Sequence, residues 1–393
     1  MQVFSEKRHL FFCDRKLEEI TMNIALLGFG VVGRGVYDLV KNIPGLAVTK
    51  VVCLEDVQLP DATVTKDFKD VLDDDIHIVV EAMGGLHPAF EFVHAAMEAG
   101  KHVVTSNKAL VATFYDTLVP LAREKGICFR CTAAVGGGIG WLSELERSRR
   151  TQTITKVGGI MNGTCNYILD SMTRMQLPYA EALKQAQQLG YAEANPTTDV
   201  EGIDTWHKVI LSSNIGFGVS LDKQTVPVAG ISRITKEDVD TFAAHGLVCK
   251  LISTGKQDNG TYSAYVQPTL VSSASLEAAV PANYNLITLE GEASGRMSFY
   301  GQGAGRYPTA HNVVQDCADV MAGKGFYAPY GATVQATNAD RLQFYVRGNA
   351  DSWLQEHTSQ NWGTGIVTTP VCVSEMHAWL KDHNEAFIAA MAE

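Results

Sequence analysis

Residues 22–33 read Met22-Asn23-Ile24-Ala25-Leu26-Leu27-Gly28-Phe29-Gly30-Val31-Val32-Gly33. A short apolar run of strand type ends at a glycine, and a G-x-G-x-x-G spacing leads into a helical pattern. Three glycines alone mark only a flexible turn. Between a strand and a helix they point to dinucleotide binding. Gly28 permits the tight turn, Gly30 lets the backbone approach a pyrophosphate, and Gly33 lets the helix pack closely on the sheet. The helix start offers unpaired N–H groups and partial positive charge to the phosphates. Gly28, Phe29, Gly30, Val31, Val32 and Gly33 are therefore the first cofactor-binding candidates.

Outward from this turn, short apolar runs alternate with helical periods. Strands are expected at 23–28, 46–54, 77–81, 102–105 and 127–134, with helices at 31–41, 88–99 and 113–125. That alternation predicts an α/β class: a doubly wound parallel sheet of Rossmann type over residues 22–140. After Gly136-Gly137-Gly138 the texture changes. Strands at 157–161, 262–270 and 285–290 and helices at 179–189 and 203–214 cluster more than they alternate, predicting an α+β substrate domain over 141–302. Residues 301–305 read as a flexible loop, and a helix within about 303–325 is expected to pack back on the first domain. A strand at 341–346 and a helix at 374–392 suggest a small appendage over 326–393. Residues 1–21 read as an extension outside the fold. Their apolar run 10–13 is too short for a secretory core and is followed by Asp14, Arg15 and Lys16.

With 393 residues the chain can build two or three domains. Its net charge of −11, without a block of like charges, argues against nucleic acid and anionic membrane as partners. No apolar run approaches the roughly 18–20 residues that cross a bilayer. Eight cysteines scattered through apolar segments suit a reducing, cytoplasmic setting. Cys128 and Cys131 form a lone C-x-x-C without the second pair that a metal site needs.

The second strand leads into Cys53-Leu54-Glu55-Asp56. An acid about 20 residues beyond the glycines reads the adenosine ribose. Glu55 or Asp56 can accept from the 2′-hydroxyl and would repel a 2′-phosphate. No Arg or Lys adjoins them in sequence, so NAD is favoured over NADP.

Two lysines carry candidate chemistry. Lys108, in Thr105-Ser106-Asn107-Lys108, lies past a strand's C-terminal end, where open α/β sheets build their sites. Lys208 lies four residues after Asp204, on one helical face. A surface lysine and a structural ion pair are the plainer explanations. Against them stands the density of acids before Lys208: Glu193, Asp199, Glu201 and Asp204. Such a loop suits an ammonium-bearing substrate, and a lysine suits a developing alkoxide.

Together these motifs resemble the homoserine dehydrogenase family, whose members interconvert aspartate 4-semialdehyde and L-homoserine in threonine and methionine biosynthesis. The resemblance covers about 22–316. It rests on Gly28–Gly33, Ser106–Ala109, Ala133–Ile139, Gly159–Thr164, Leu189–Pro196, Asp199–Lys208 and Gly303–Ala310. It implies an oxidoreductase with Lys108 and Lys208 as the active-site lysines. Glu193, Asp199 and Asp204 would bind the substrate ammonium and position Lys208, while Gly163 and Thr164 would contact substrate. Gly84, Ser106, Lys108 and the Gly303-Ala304-Gly305 loop would contact the cofactor. A homodimer through the second domain's sheet is also implied.

Departures from the pattern carry their own expectations. Thr132 stands where the family usually has a Glu that helps bind a structural sodium ion with the carbonyls of Val135, Gly137 and Ile139. Loss of that charge leaves a carbonyl-only cage and argues against sodium. Gly140 and Asn195 replace a usual Pro and Asp. Many relatives carry a C-terminal ACT domain that binds threonine. Residues 342–347 resemble its first strand, and the short remainder predicts a truncated unit with weak or absent threonine feedback. Two other readings compete: a semialdehyde dehydrogenase with Cys165 as thiol nucleophile, and a non-enzymatic NAD-responsive regulator.

Overall fold

In a computed structural model the described residues are 21–324 and 331–392. Apart from Thr21, the N-terminal extension lies outside the described residues. The first half contains β1 (Met22–Leu27), α1 (Val31–Val40), β2 (Leu46–Val52), β3 (Thr63–Thr65), β4 (Ile78–Glu81), α2 (Ala89–Glu98), β5 (His102–Thr105), α3 (Lys108–Glu124), β6 (Phe129–Arg130) and α4 (Trp141–Ser148). Its six strands are parallel in the order β3-β2-β1-β4-β5-β6. Every residue of β4 is buried, as helices on both faces of a parallel sheet require. The chain winds outward on one side of β1 and then on the other. The C-terminal ends of β1 and β4 therefore flank a switch-point crevice.

One strand is added to those expected, and two boundaries move by several residues. Strand β3 has only three residues, too few for a periodic signal. Helix α3 begins at Lys108, not 113, because the Asn107 side chain caps it by accepting from the Leu110 N–H at 3.1 Å. A kink at Phe114 divides that helix, and the sequence pattern caught only its second part. Strand β6 stops at Arg130, since Thr132 gives its N–H and hydroxyl to Asp316, at 2.8 and 2.7 Å, within a 3-10 turn.

The second half contains β7 (Ile154–Ile160), α5 (Gly163–Arg174), α6 (Tyr179–Gln188), α7 (Thr197–Val200), α8 (Ile203–Phe217), β8 (Ser220–Leu221), α9 (Lys236–Ala244), β9 (Leu247–Asp258), β10 (Thr261–Ser272), α10 (Leu276–Ala279), β11 (Tyr284–Gly291), β12 (Gly295–Gln302) and α11 (Arg306–Met321). Strands β12-β11-β7-β9-β10 run antiparallel. The β9–β10 hairpin turns on Asn259-Gly260, both with positive φ (47° and 83°), which fits the twist of a two-residue hairpin. Gly301 and Gln302 belong to β12, so the expected loop shrinks to Gly303–Gly305. Helix α11 then returns to the first half. A Cβ on Gly35 of α1 would lie 2.8 Å from the Ala310 Cβ, so glycine there is what lets the two helices touch.

The remaining elements are β13 (Thr333–Val334), β14 (Arg341–Leu342), β15 (Phe344–Arg347), α12 (Ser352–His357), β16 (Thr358–Trp362), β17 (Gly365–Thr368), β18 (Val371–Cys372), α13 (Val373–Asp382) and β19 (Phe387–Met391). Strand β13 pairs with β8, and β14 with β18. Two expectations are corrected here. The expected helix over 374–392 ends at Asp382, and Phe387–Met391 is a buried strand, because a short apolar run fits either period. The unit is not truncated either. Strands β15, β16, β17 and β19 with helices α12 and α13 make a full βαββαβ set, its sheet ordered β19-β15-β17-β16. It fits because α12 spans one and a half turns and the strands are four or five residues long. A complete unit leaves no shortage of chain from which to expect weak threonine feedback. Strand β19 also pairs with β10, giving one nine-stranded sheet.

Among the described residues no helix is long and apolar enough to cross a membrane. The C-terminal unit is held by Asp238 of α9, which is fully buried and accepts from the Tyr345 hydroxyl and Arg347 Nε, each at 2.8 Å. Asp238→Ala strands the Arg347 cation beside a buried hydroxyl. It is expected to cost about 3 kcal/mol, read as a lower urea midpoint for the C-terminal unit.

Candidate active site

The dinucleotide turn sits at the mouth of the β1/β4 crevice. Gly28 has φ +96°, and a Cβ there would meet the Ala82 carbonyl at 2.8 Å. A Cβ on Gly33 would collide with the Gly28 carbonyl, whereas a Cβ on Gly30 would meet no protein atom within 4 Å. Gly30 thus borders open space at the N-cap of α1. Phe29 is buried, Val32 half-buried and Val31 exposed at the rim. Gly84 follows β4 with positive φ, and the Ser106 N–H reaches the Glu81 carbonyl at 3.4 Å. Ala304 and Gly305 are exposed, while Gly303 lies against the Asn285 amide.

Glu55 and Asp56 are exposed beyond β2, but they are not without cations. Arg34 of α1 reaches Glu55 at 2.7 Å and lies 4.7 Å over the Phe29 ring, and Lys66 reaches Asp56 at 2.8 Å. Neither cation is a neighbour along the chain; the fold supplies one from α1 and one from beyond β3. The crevice end therefore presents both signs of charge.

The lysines and carboxylates converge between the two halves. Helix α8 starts after Gly202, whose left-handed φ of 79° turns the chain out of α7. One turn separates Asp204 from Lys208. The Asp204 carboxylate is 8% exposed and spans both lysines, with Oδ2 2.7 Å from Lys208 Nζ and Oδ1 3.0 Å from Lys108 Nζ. Lys208 is buried and also donates to the Met161 carbonyl at 2.6 Å. Lys108 comes from the nucleotide half and remains partly exposed. Asn162 of the β7–α5 turn donates to Asp204 at 2.8 Å and to Asp199 at 2.7 Å.

The electrostatics follow from this packing. Burial opposes ionisation of Asp204, but Lys208 and Lys108 outweigh it and hold the carboxyl well below the usual carboxylate range. The Asp204 charge in turn raises the Lys108 ammonium, keeping it protonated. Asp199 behaves oppositely. Burial pushes its carboxyl up, the Asn162 hydrogen bond partly offsets this, and the Asp204 charge adds to it.

Not every expected residue joins the cluster. Glu193 is exposed in the α6–α7 loop, and its carboxylate has no hydrogen bond among the described residues. A Cβ on Gly163 would lie 2.6 Å from the Asn283 carbonyl, so glycine seats α5 against the loop before β11. Thr164 donates to the Tyr191 carbonyl at 2.5 Å, tying the Leu189–Tyr191 turn to α5. Cys165 is fully buried; burial pushes its thiol well up, and the thiol faces the Asp199 carbonyl at 3.1 Å. That is the setting of an inert thiol, not a nucleophile. Asn162 was overlooked, although it lies inside the Gly159–Thr164 stretch.

The carbonyl turn after Thr132 is tied into the fold by hydrogen bonds. The Gly137 carbonyl accepts from Asn312 Nδ2 and the Ile139 carbonyl from the Trp141 N–H, both at 2.5 Å. Val135 is buried in the same turn. The Thr132 hydroxyl is taken by Asp316, itself paired with Arg130 at 2.8 Å. Among the described residues no group of three His, Cys, Asp or Glu could hold a metal ion.

The open space at Gly30 gives a clean test. Gly30→Ala is expected to fold with an unchanged urea midpoint yet weaken NADH binding at least tenfold by fluorescence titration. Unchanged affinity would remove Gly30 from the pyrophosphate contact.

Residues 28–131 match the family "Homoserine dehydrogenase, NAD binding domain", and residues 141–318 match "Homoserine dehydrogenase". A homoserine dehydrogenase of Bacillus subtilis is 39% identical, over 76% of this chain and 73% of its own length. One from Synechocystis is 35% identical, over 77% and 74%. The structure of a homoserine dehydrogenase from Thiobacillus denitrificans superposes with a TM-score of 0.83 at 29% identity, covering 95% of this chain and 98% of that one. The first matched region holds the glycine turn and Lys108, the second holds Asp204 and Lys208, and on these grounds the chain belongs to the homoserine dehydrogenase family.

Proposed function

We propose that the chain is an NAD(P)-dependent homoserine dehydrogenase acting between aspartate 4-semialdehyde and L-homoserine. The observation that carries this reading is the single carboxylate of Asp204 spanning Lys108 and Lys208. When bound, the nicotinamide supplies or accepts the hydride. In reduction of the aldehyde one lysine gives a proton to the carbonyl oxygen as the alkoxide develops, and the other orients the substrate. In the reverse direction the same lysine takes the hydroxyl proton. The Asp204 charge favours the protonated form of Lys108. Asp199, with Glu193 at the exposed rim, takes the substrate ammonium, and Gly163 and Thr164 shape the wall beside it.

Gly28–Gly33, Gly84, Ser106, Lys108 and Gly303–Gly305 are the residues proposed to hold the dinucleotide. NAD is the better fit. Glu55 can accept from a ribose 2′-hydroxyl, whereas a 2′-phosphate would have to open the Arg34–Glu55 and Lys66–Asp56 pairs. Thr132 adds no charge to the carbonyls of Val135, Gly137 and Ile139, which supports a junction that works without sodium. A homodimer through the sheet of the second half is proposed on the family resemblance. The seven described cysteines are all free, which suits the cytoplasm. A purely regulatory NAD-binding role would leave two lysines converged on a buried carboxylate without a task.

Homoserine oxidation with NAD and NADP side by side tests substrate and cofactor together; a higher kcat/KM with NADP would reverse the preference. Lys108→Ala and Lys208→Ala should each lower kcat about a hundredfold or more, and near wild-type rates in both would defeat the assignment. Cys165→Ala should stay close to wild type. Because the Asp199 carboxyl is raised, the homoserine KM should climb as pH falls, starting above the usual carboxylate range. Asp199→Asn should abolish that pH dependence and leave KM high throughout.

A further inference from the structure

Glu81 ends β4 at the switch point, and its side chain is completely buried. Among the described residues no Lys, Arg or His forms an ion pair with it. Neutral donors surround it instead. Oε1 accepts from the N–H groups of Met83 at 2.8 Å and Gly84 at 3.1 Å, and Oε2 from the Thr105 hydroxyl at 2.5 Å. An apolar site would make an unpaired carboxylate costly, so three converging donors mark this one as built for it.

The bonds continue from there into a closed circuit. The Thr105 hydroxyl oxygen accepts from the Asn107 N–H at 2.9 Å. Asn107 Nδ2 donates to the Gly85 carbonyl at 2.6 Å, returning to the turn that Glu81 already holds. Asn107 Oδ1 caps α3, whose first residue is Lys108. Gly84 and Gly85 both have positive φ, so the turn has little stiffness of its own and takes its shape from these contacts.

We infer that Glu81 is a positioning residue that fixes Lys108 relative to the dinucleotide-facing Met83–Gly85 turn, acting through Thr105 and Asn107. This rests on the reading of Lys108 as an active-site lysine. The carboxylate suits the task because its two oxygens face two different chain segments. A Gln amide presents one acceptor and one donor: with its oxygen on the backbone N–H groups, its N–H₂ faces the Thr105 hydroxyl, which must then accept and loses the carboxylate it donates to.

The test compares Glu81→Gln, Thr105→Val, Lys108→Ala and the Glu81→Gln/Lys108→Ala double variant. Each is followed by kcat, the homoserine KM and NADH affinity from fluorescence. Glu81→Gln is expected to lower kcat on the order of 10- to 100-fold and weaken NADH several-fold. The homoserine KM should move less than kcat, since Asp199 and its Asn162 contact are untouched. The double variant should be no slower than Lys108→Ala alone, as for residues acting through one another. If Glu81→Gln does not fold, Thr105→Val, nearly isosteric within β5, is expected to give the same split. Full kcat and NADH affinity in the folded variants would overturn the inference, and so would an additive double variant. An active Lys108→Ala would instead sink the functional reading, and that outcome is read independently of the Glu81 variants.

Discussion

One buried negative charge organises this molecule. Asp204 lies where the nucleotide half and the substrate half meet, and its two oxygens are divided between a lysine from each. Removing two ammonium groups and a carboxylate from water is unfavourable unless geometry and further hydrogen bonds compensate. Here Asn162 and the Met161 carbonyl complete the set. Much else serves this contact. Gly202 turns the chain into α8, Gly163 seats α5 so that Asn162 faces the acids, and Asn107 starts α3 so that Lys108 points across.

The first half was legible because its signals are local. The Gly28–Gly33 turn, the short apolar strands and the Asp204–Lys208 spacing each depend on residues close in sequence. What escaped depends on partners far along the chain. Arg34 and Lys66 reach Glu55 and Asp56 from other elements, and nothing in the order Cys53-Leu54-Glu55-Asp56 announces them. Glu81 reads as the polar end of an apolar strand, and its importance appears only when the Met83–Gly85 turn and Thr105 fold around it. Helix α3 was misplaced for a subtler reason. An Asn cap before Lys108 competes with a kink at Phe114, and the apolar period registers only beyond it.

The C-terminal unit shows the limit of arguing from length. About 45 residues looked too few for βαββαβ, yet short strands and a six-residue helix accommodate it. The strand Phe387-Ile388-Ala389-Ala390-Met391 was read as helix because a short apolar run carries no decisive period. Its pairing with β10 makes that unit an extension of the substrate-domain sheet, continuous in backbone hydrogen bonds.

The polypeptide passes between the two halves near Gly136–Gly140 and again at Gly303–Gly305, where Gly137 abuts the Gly303 carbonyl, and it is back in the second half at β13, which pairs with β8. Lys108 and Asp204, the two ends of the inter-half ion pair, sit 3.0 Å apart on different halves. That short contact exists only while the halves are docked, so the chemistry assigned to Lys108 and the packing of the two halves are one and the same condition.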